Sequence, residues 1–187
     1  MRYLVCFLAG AAMVVWASIA WGGVLPSTYD REIKAASQRY MPPVPWQVYW
    51  GQLYQESRMN PAARSPVGAE GIAQFMPGTA RDIFPLLGYS ALDRRLAGPS
   101  IQAGAYYMAR LRRGWSAERP EDDRHNLALA SYNAGMGNIL NAQRLCGGNL
   151  YAQIMACLPQ VTGRHAAETI GYIPSIRRWA AAKMIGG

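Results

Sequence analysis

The stretch YQESRMNPAARSPVGAEGIAQFMP, residues 54–77, joins an aromatic segment to a loop rich in proline and glycine. Upstream, Trp46, Tyr49, Trp50 and Leu53 fall at i, i+3, i+4 and i+7, an apolar stripe along one face of a helix. Glu56 lies three residues after Leu53 and seven after Tyr49, on that same face. A carboxylate half-buried among aromatics resists ionisation, so its pKa should rise. A raised pKa suits a general acid near neutral pH. An acid at the edge of the stripe, reaching water or an arginine, has the same periodicity, and the spacing leaves both readings open. Ser65, Gly68, Gly71 and Gln74 follow in the loop. Small residues let a backbone approach a polymer closely, and a glutamine amide offers both a donor and an acceptor to hydroxyl or amide groups.

Along the rest of the chain helix signals recur and alternating β-branched runs are absent. Ser27 or Thr28 can cap a helix reaching Tyr40, which Met41-Pro-Pro-Val-Pro45 breaks. A second helix should run from Pro45 to about Met59, ended by Asn60-Pro61 because a residue before proline avoids the helical region. Gly71–Phe75 reads as a short helix, and another begins near Met76-Pro77. Pro99–Arg113 reads as a long helix with Ile101, Ala105, Met108 and Leu111 on one face. Asn126 can cap a helix reaching Asn133, terminated by Gly135 and Gly137. A last helix should include Ile176–Met184. The fold class is thus predominantly α-helical, one compact domain over about 27–185.

The chain has 187 residues, enough for one sizeable core. Its 19 basic and 11 acidic residues give a formal charge of +8 and favour an anionic partner. The basic residues are scattered with no run longer than two, which argues against a nucleic-acid arm. Residues 3–21 carry no charge and follow Arg2. That pattern fits a signal peptide, cleaved after Ala20 in Ser18-Ile19-Ala20, or an uncleaved anchor in the inner membrane; both imply export of residues 22–187 to the cell envelope or periplasm. Cys146 and Cys157 flank a Gly-Gly turn. In an oxidising compartment they can close a short disulfide loop; a zinc site and two free thiols are the competing readings, and neither His125 nor His165 has a ligand spacing with them.

The pattern E-S-x-x-N-P-x-A-x-S-x-x-G-A-x-G-x-x-Q-x-M-P-x-T-A, from Glu56 to Ala80, resembles the core signature of the soluble lytic transglycosylase family. Gly104-Ala-Tyr-Tyr-Met108, Ser131-Tyr-Asn-Ala-Gly135 and Glu168-Thr-Ile-Gly-Tyr172 resemble three further motifs of that family, in the same order along about 150 residues. The resemblance implies a lysozyme-like domain of the α+β class over residues 22–187 that cleaves peptidoglycan. It implies Glu56 as the catalytic acid and base. It implies substrate contacts from Ser57, Ser65, Gln74, Met76, Tyr132, Asn133 and Glu168, and Tyr172 as a phenol beside the acid. No metal or organic cofactor is implied.

Two departures stand out. Ala73 occupies a position where the family often has methionine, which puts the shape of a subsite in question, and Met136 replaces a proline. Arg144–Gly163, with both cysteines, is longer than a minimal loop and should form a flap or brace.

Ordinary glycosidases use two carboxylates. This chain offers few candidates for a second: Glu70 lies in the glycine loop, and Asp82 and Asp93 look exposed or capping. The family's one-carboxylate chemistry, carried over by resemblance, yields 1,6-anhydromuramoyl ends. A water-using muramidase and a catalytically silent wall-binding component of a secretion system or virion are the alternatives. The partners implied are peptidoglycan strands and a membrane reached through residues 3–21. A secretion, conjugation or phage apparatus is a further expected setting, and nucleic acid is excluded.

Overall fold

The computed structural model describes residues 25–186, so the expected leader over 1–21, its cleavage site and Cys6 lie outside the described residues. Eight α-helices follow in order: α1 Asp30–Tyr40, α2 Trp46–Ser57, α3 Pro77–Ile83, α4 Ala97–Gly114, α5 Glu121–Ala134, α6 Met136–Cys146, α7 Tyr151–Thr162 and α8 Ala166–Ile185. Short 3₁₀ turns lie at Phe84–Leu87, Ala91–Arg95 and Gly163–His165. Among the described residues, no helix is long and apolar enough to cross a membrane.

The stripe on α2 does what its periodicity requires: Tyr49, Trp50 and Leu53 are buried in a single core. Its main partner is α8. Gly51 permits their approach, since a Cβ there would stand 2.7 Å from the Ile176 carbonyl oxygen. The expected face of α4 is also buried, with Ile101, Ala105, Met108 and Leu111 all in the core. From α2, the Tyr49 hydroxyl donates to the Ile101 carbonyl at 2.6 Å and ties the two helices together.

Several expected boundaries move. α1 begins at Asp30 without a side-chain cap; the Asp30 N–H instead donates to the Ser27 carbonyl. α2 ends at Ser57 rather than Met59, because Arg58 and Met59 both adopt left-handed backbone, at φ 56° and 63°. That pair turns the chain sharply and buries Met59, and Asn60 then accepts from the Ala62 N–H at 2.9 Å.

Gly71–Phe75 is not a helix. Glu70 pairs with Arg64 and with Phe75 in isolated antiparallel bridges, and between them Gly71 at φ 83° and Gln74 at φ 47° form a tight turn. Gly71 is required there, because a Cβ would run into the Arg94 carbonyl oxygen.

α5 starts at Glu121, five residues before Asn126. Pro120 marks the boundary, and Glu121, Asp122 and Asp123 complement the helix dipole in the first turn. Gly135 ends it, but Gly137 lies inside α6. α8 begins at Ala166, ten residues before Ile176. Its buried positions Thr169, Tyr172, Ile173 and Ile176 carry the helix past Pro174, which sits on the exposed side.

Arg144–Gly163 is a brace: the end of α6, a turn and α7, packed on α5, α6 and α8. Cys146 and Cys157 are joined in a disulfide with Cα atoms 5.8 Å apart, which removes the zinc and free-thiol readings of that pair. The Tyr151 N–H pins the start of α7 to Asp123 of α5 at 3.0 Å.

Candidate functional site

The last turn of α2 delivers Glu56 and the first half of α8 delivers Tyr172, whose hydroxyl donates to Glu56 Oε1. Burial is the dominant influence on the Glu56 carboxyl. It outweighs the Tyr172 hydrogen bond, which acts the other way, and with the nearby charge of Glu168 pushes the pKa up to about 7. Burial and the Glu56 charge hold the Tyr172 phenol well above its usual range, so it stays a neutral donor. At neutral pH the pair therefore holds a proton that can be given up and a donor that can stabilise the anion left behind.

The loop after α2 is held by its own side chains. Ser57 donates to the Ile72 carbonyl at 2.8 Å, so this hydroxyl is engaged inside the protein. Ser65 Oγ accepts from the Ala69 N–H at 2.9 Å and closes the preceding turn. Gln74 Nε2 donates to the Gly71 carbonyl at 2.8 Å and the Ala63 carbonyl at 3.2 Å, which fixes the turn with its left-handed backbone. Met76, half-buried, immediately precedes α3. Among the described residues, the three non-glycine residues with left-handed φ, Arg58, Met59 and Gln74, all belong to this stretch. Each such conformation costs about 1–3 kcal/mol and persists only where the surroundings enforce it.

Across from the loop, Tyr132 on α5 donates to the Ala73 carbonyl at 2.6 Å. Behind it stand Tyr107, 5.4 Å away between ring centroids, and Phe75, 6.1 Å away. Asn133 accepts from Thr169 at 2.7 Å and donates to Glu168 at 3.5 Å, linking α5 to α8. Glu168 is exposed, and its partner is Asn133 rather than Tyr172. The structure thus brings Glu56, Tyr172, Tyr132 and the Gln74 turn together, with Asn133 and Glu168 beside them, while Cys146 and Cys157 lie in the α6–α7 brace. A separate concavity of about 310 Å³, bordered by Tyr40, Arg112, Arg113 and Arg124, includes none of these side chains.

The model of the family described as "Transglycosylase SLT domain" matches residues 33–154. The chain belongs to this family. Glu168 and Tyr172 lie just beyond the matched span. The chain is 36% identical over 158 residues to the membrane-bound lytic murein transglycosylase F of Serratia proteamaculans (strain 568), covering 76% of this chain and 31% of that protein. To the protein of the same name from Yersinia pestis (strain Pestoides F) it is 32% identical over 152 residues, covering 73% and 30%. The chain therefore spans about a third of the length of these curated relatives. Its fold is that of the lytic transglycosylase Slt from Pseudomonas aeruginosa, with a TM-score of 0.68 at 21% identity over 87% of this chain and 25% of that one. The 70 kDa soluble lytic transglycosylase of Escherichia coli gives 0.64 at 24% identity over 84% and 24%.

In this SLT domain, Ala73 does not line a groove. It is fully buried, its Cβ lies towards Gly104 of α4, and its N–H donates to Ser100 at 3.3 Å. A methionine at this position would press on α4, so the expected subsite effect is replaced by a packing one.

Sequence reasoning missed the group that holds the loop of this SLT domain from behind. Glu70, 7% exposed, meets Arg94 at 2.6 Å, Arg95 at 2.8 and 3.0 Å, and Arg64 at 3.5 Å. The Arg95 hydrogen bond, aided by the Arg94 charge, holds the Glu70 carboxyl below the usual range. The adjacent Arg94-Arg95 pair was the available signal, but nothing in the sequence aims it at Glu70. A second missed residue is Gln52, on the face of α2 that carries Glu56; Gln52 is buried and Glu56 half-buried.

Proposed function

We propose that this chain is a peptidoglycan lytic transglycosylase that cleaves the β-1,4 bond between N-acetylmuramic acid and N-acetylglucosamine and leaves 1,6-anhydromuramoyl ends. The Glu56–Tyr172 pair carries this reading: a carboxyl protonated up to about pH 7, in contact with a phenol that stays a neutral donor.

Neutral Glu56 donates its proton to the glycosidic oxygen as the C1–O bond breaks. The carbonyl oxygen of the muramoyl N-acetyl group stabilises C1. Tyr172 holds the carboxylate formed in that step. Glu56 then takes the proton of the muramoyl 6-hydroxyl as its oxygen closes on C1, which returns Glu56 to its starting state and consumes no water.

The other acids near the site are poorly suited to act as a second carboxylate. Glu70 is held by three arginines, and Glu168 is exposed on α8. Gln74 and Met76, with Ser57 and Ser65 shaping the loop, form one wall for the glycan. Tyr132 and Asn133 form the other, and Glu168 meets the peptide stem.

The setting is the cell envelope. Disulfides persist mainly in oxidising compartments, and the two curated relatives from Serratia and Yersinia carry the name membrane-bound. Residues 3–21 supply the route there, as a cleaved leader or an anchor, and a secretion, conjugation or phage apparatus is a further setting for the same chemistry.

Replacing Glu56 with Gln tests the assignment. Clearing of purified peptidoglycan should fall by at least about 10³-fold while the protein stays folded. Undiminished clearing by a folded Glu56→Gln protein would reject it.

A further inference from the structure

Gln52 lies one helical turn before Glu56, on the same face of α2, and is 1% exposed. Neither Nε2 nor Oε1 has a hydrogen-bond partner of standard geometry among the described residues. A buried carboxamide without partners is unfavourable, and an apolar residue of its size would give a more stable helix at this position. A polar group kept at such a cost beside an active pair points to a role in that pair.

We propose that Gln52 is a positioning residue: its carboxamide lies against the Tyr172 hydroxyl and turns the hydroxyl hydrogen towards Glu56. This rests on the reading of Glu56 as the proton carrier.

The orientation follows from donor and acceptor chemistry. Tyr172 has one hydrogen, and it goes to Glu56 Oε1. The lone pairs of the phenol are then open to a donor, and Gln52 Nε2 supplies N–H groups from the α2 side. The amide acts on Tyr172 in the sense expected of a donor, favouring the ionised phenol, though more weakly than burial and the Glu56 charge oppose it. An Nε2–H···Oη–H···Oε1 relay polarises the phenol and strengthens its bond to the Glu56 carboxylate. The charged and titratable groups facing the pair are Glu168 from α8 and Tyr132 from α5. Neither can supply this donor, because Glu168 is an acceptor and the Tyr132 hydrogen is given to Ala73.

The test replaces Gln52 with Met, close in size and unable to donate, with Gln52→Leu as a second variant. Glu56 is titrated directly by carbon-13 NMR of glutamate-labelled protein, its signal identified by loss in Glu56→Gln. With the relay broken, the Glu56 midpoint should rise by about half a pH unit. kcat should fall several-fold at neutral pH with KM unchanged, and the thermal midpoint should hold or increase. In a Tyr172→Phe background, Gln52→Met should cause no further change in the Glu56 midpoint. An unchanged midpoint in both variants, or the same rise without the Tyr172 hydroxyl, overturns the proposal. Because the NMR titration needs no turnover, it reports on Gln52 even if Glu56→Gln were to leave wall clearing intact.

Discussion

Glu56 and Glu70 stand at the two ends of one short stretch and have opposite surroundings. Glu56 sits among aromatic side chains with a phenol as its closest partner, and its pKa rises to about 7. Glu70 sits among Arg64, Arg94 and Arg95, and its pKa falls. The same side chain is thus a movable proton in one region and a fixed anion in the other. Residue type does not separate the proposed proton carrier from a structural carboxylate here; the neighbours do.

The contrast gives opposite signs on pH. A group whose folded pKa is raised loses stability as pH climbs through that value, and a group whose folded pKa is lowered loses it as pH falls. Glu70→Gln should have the largest effect in the loop, since it leaves Arg94 buried without its partner and frees the turn that carries Gln74. Turnover should fall about 10–100-fold by misplacement of the groove. Thermal unfolding should show the loss of stability at neutral pH and a weaker fall towards acid than in the wild type. Full turnover in Glu70→Gln would mean that the Glu70–arginine cluster is not needed for the site.

Tyr172→Phe comes next. The hydrogen bond from this phenol opposes the rise in the Glu56 pKa, so its removal should carry the Glu56 midpoint further above about 7 and move the alkaline limb of the rate profile the same way. A loss of about tenfold in kcat should accompany it.

Replacing both Cys146 and Cys157 with Ser is the control for these two acids. It should cost about 2–3 kcal/mol of stability for so short a loop, by a similar amount at every pH, and leave turnover at 25 °C unchanged. The smallest effect is that of Glu56→Gln on folding. Wild-type stability should decline as pH rises from the ordinary carboxylate range through about 7, and the variant should not share the decline. At pH 8 it should be more stable by about 1–2 kcal/mol, a gain that vanishes near pH 4 in denaturant titrations.

Much of this was legible in the sequence, for identifiable reasons. The spacing of Tyr49, Trp50 and Leu53 placed Glu56 on the buried face because periodicity is a local property. The face of α4 followed in the same way. The Gly71–Phe75 turn was not legible, because the left-handed backbone of Gln74 is imposed by the bridges around Glu70 and not by its own preference. The early part of α8 was missed because Pro174 reads as a helix breaker, whereas burial of Thr169, Tyr172 and Ile173 on the opposite side carries the helix through it. Ala73 was misjudged and Gln52 passed over for one reason: where a side chain on a packed helix or turn points depends on its neighbours in space.

In the proposed reaction one carboxylate does all the proton work and the substrate supplies its own nucleophile. Mass spectrometry of the muropeptides released from purified peptidoglycan tests it most directly. One-carboxylate chemistry predicts 1,6-anhydromuramoyl ends, lighter by one water than hydrolysed ends; release of reducing N-acetylmuramic acid ends in their place would contradict it.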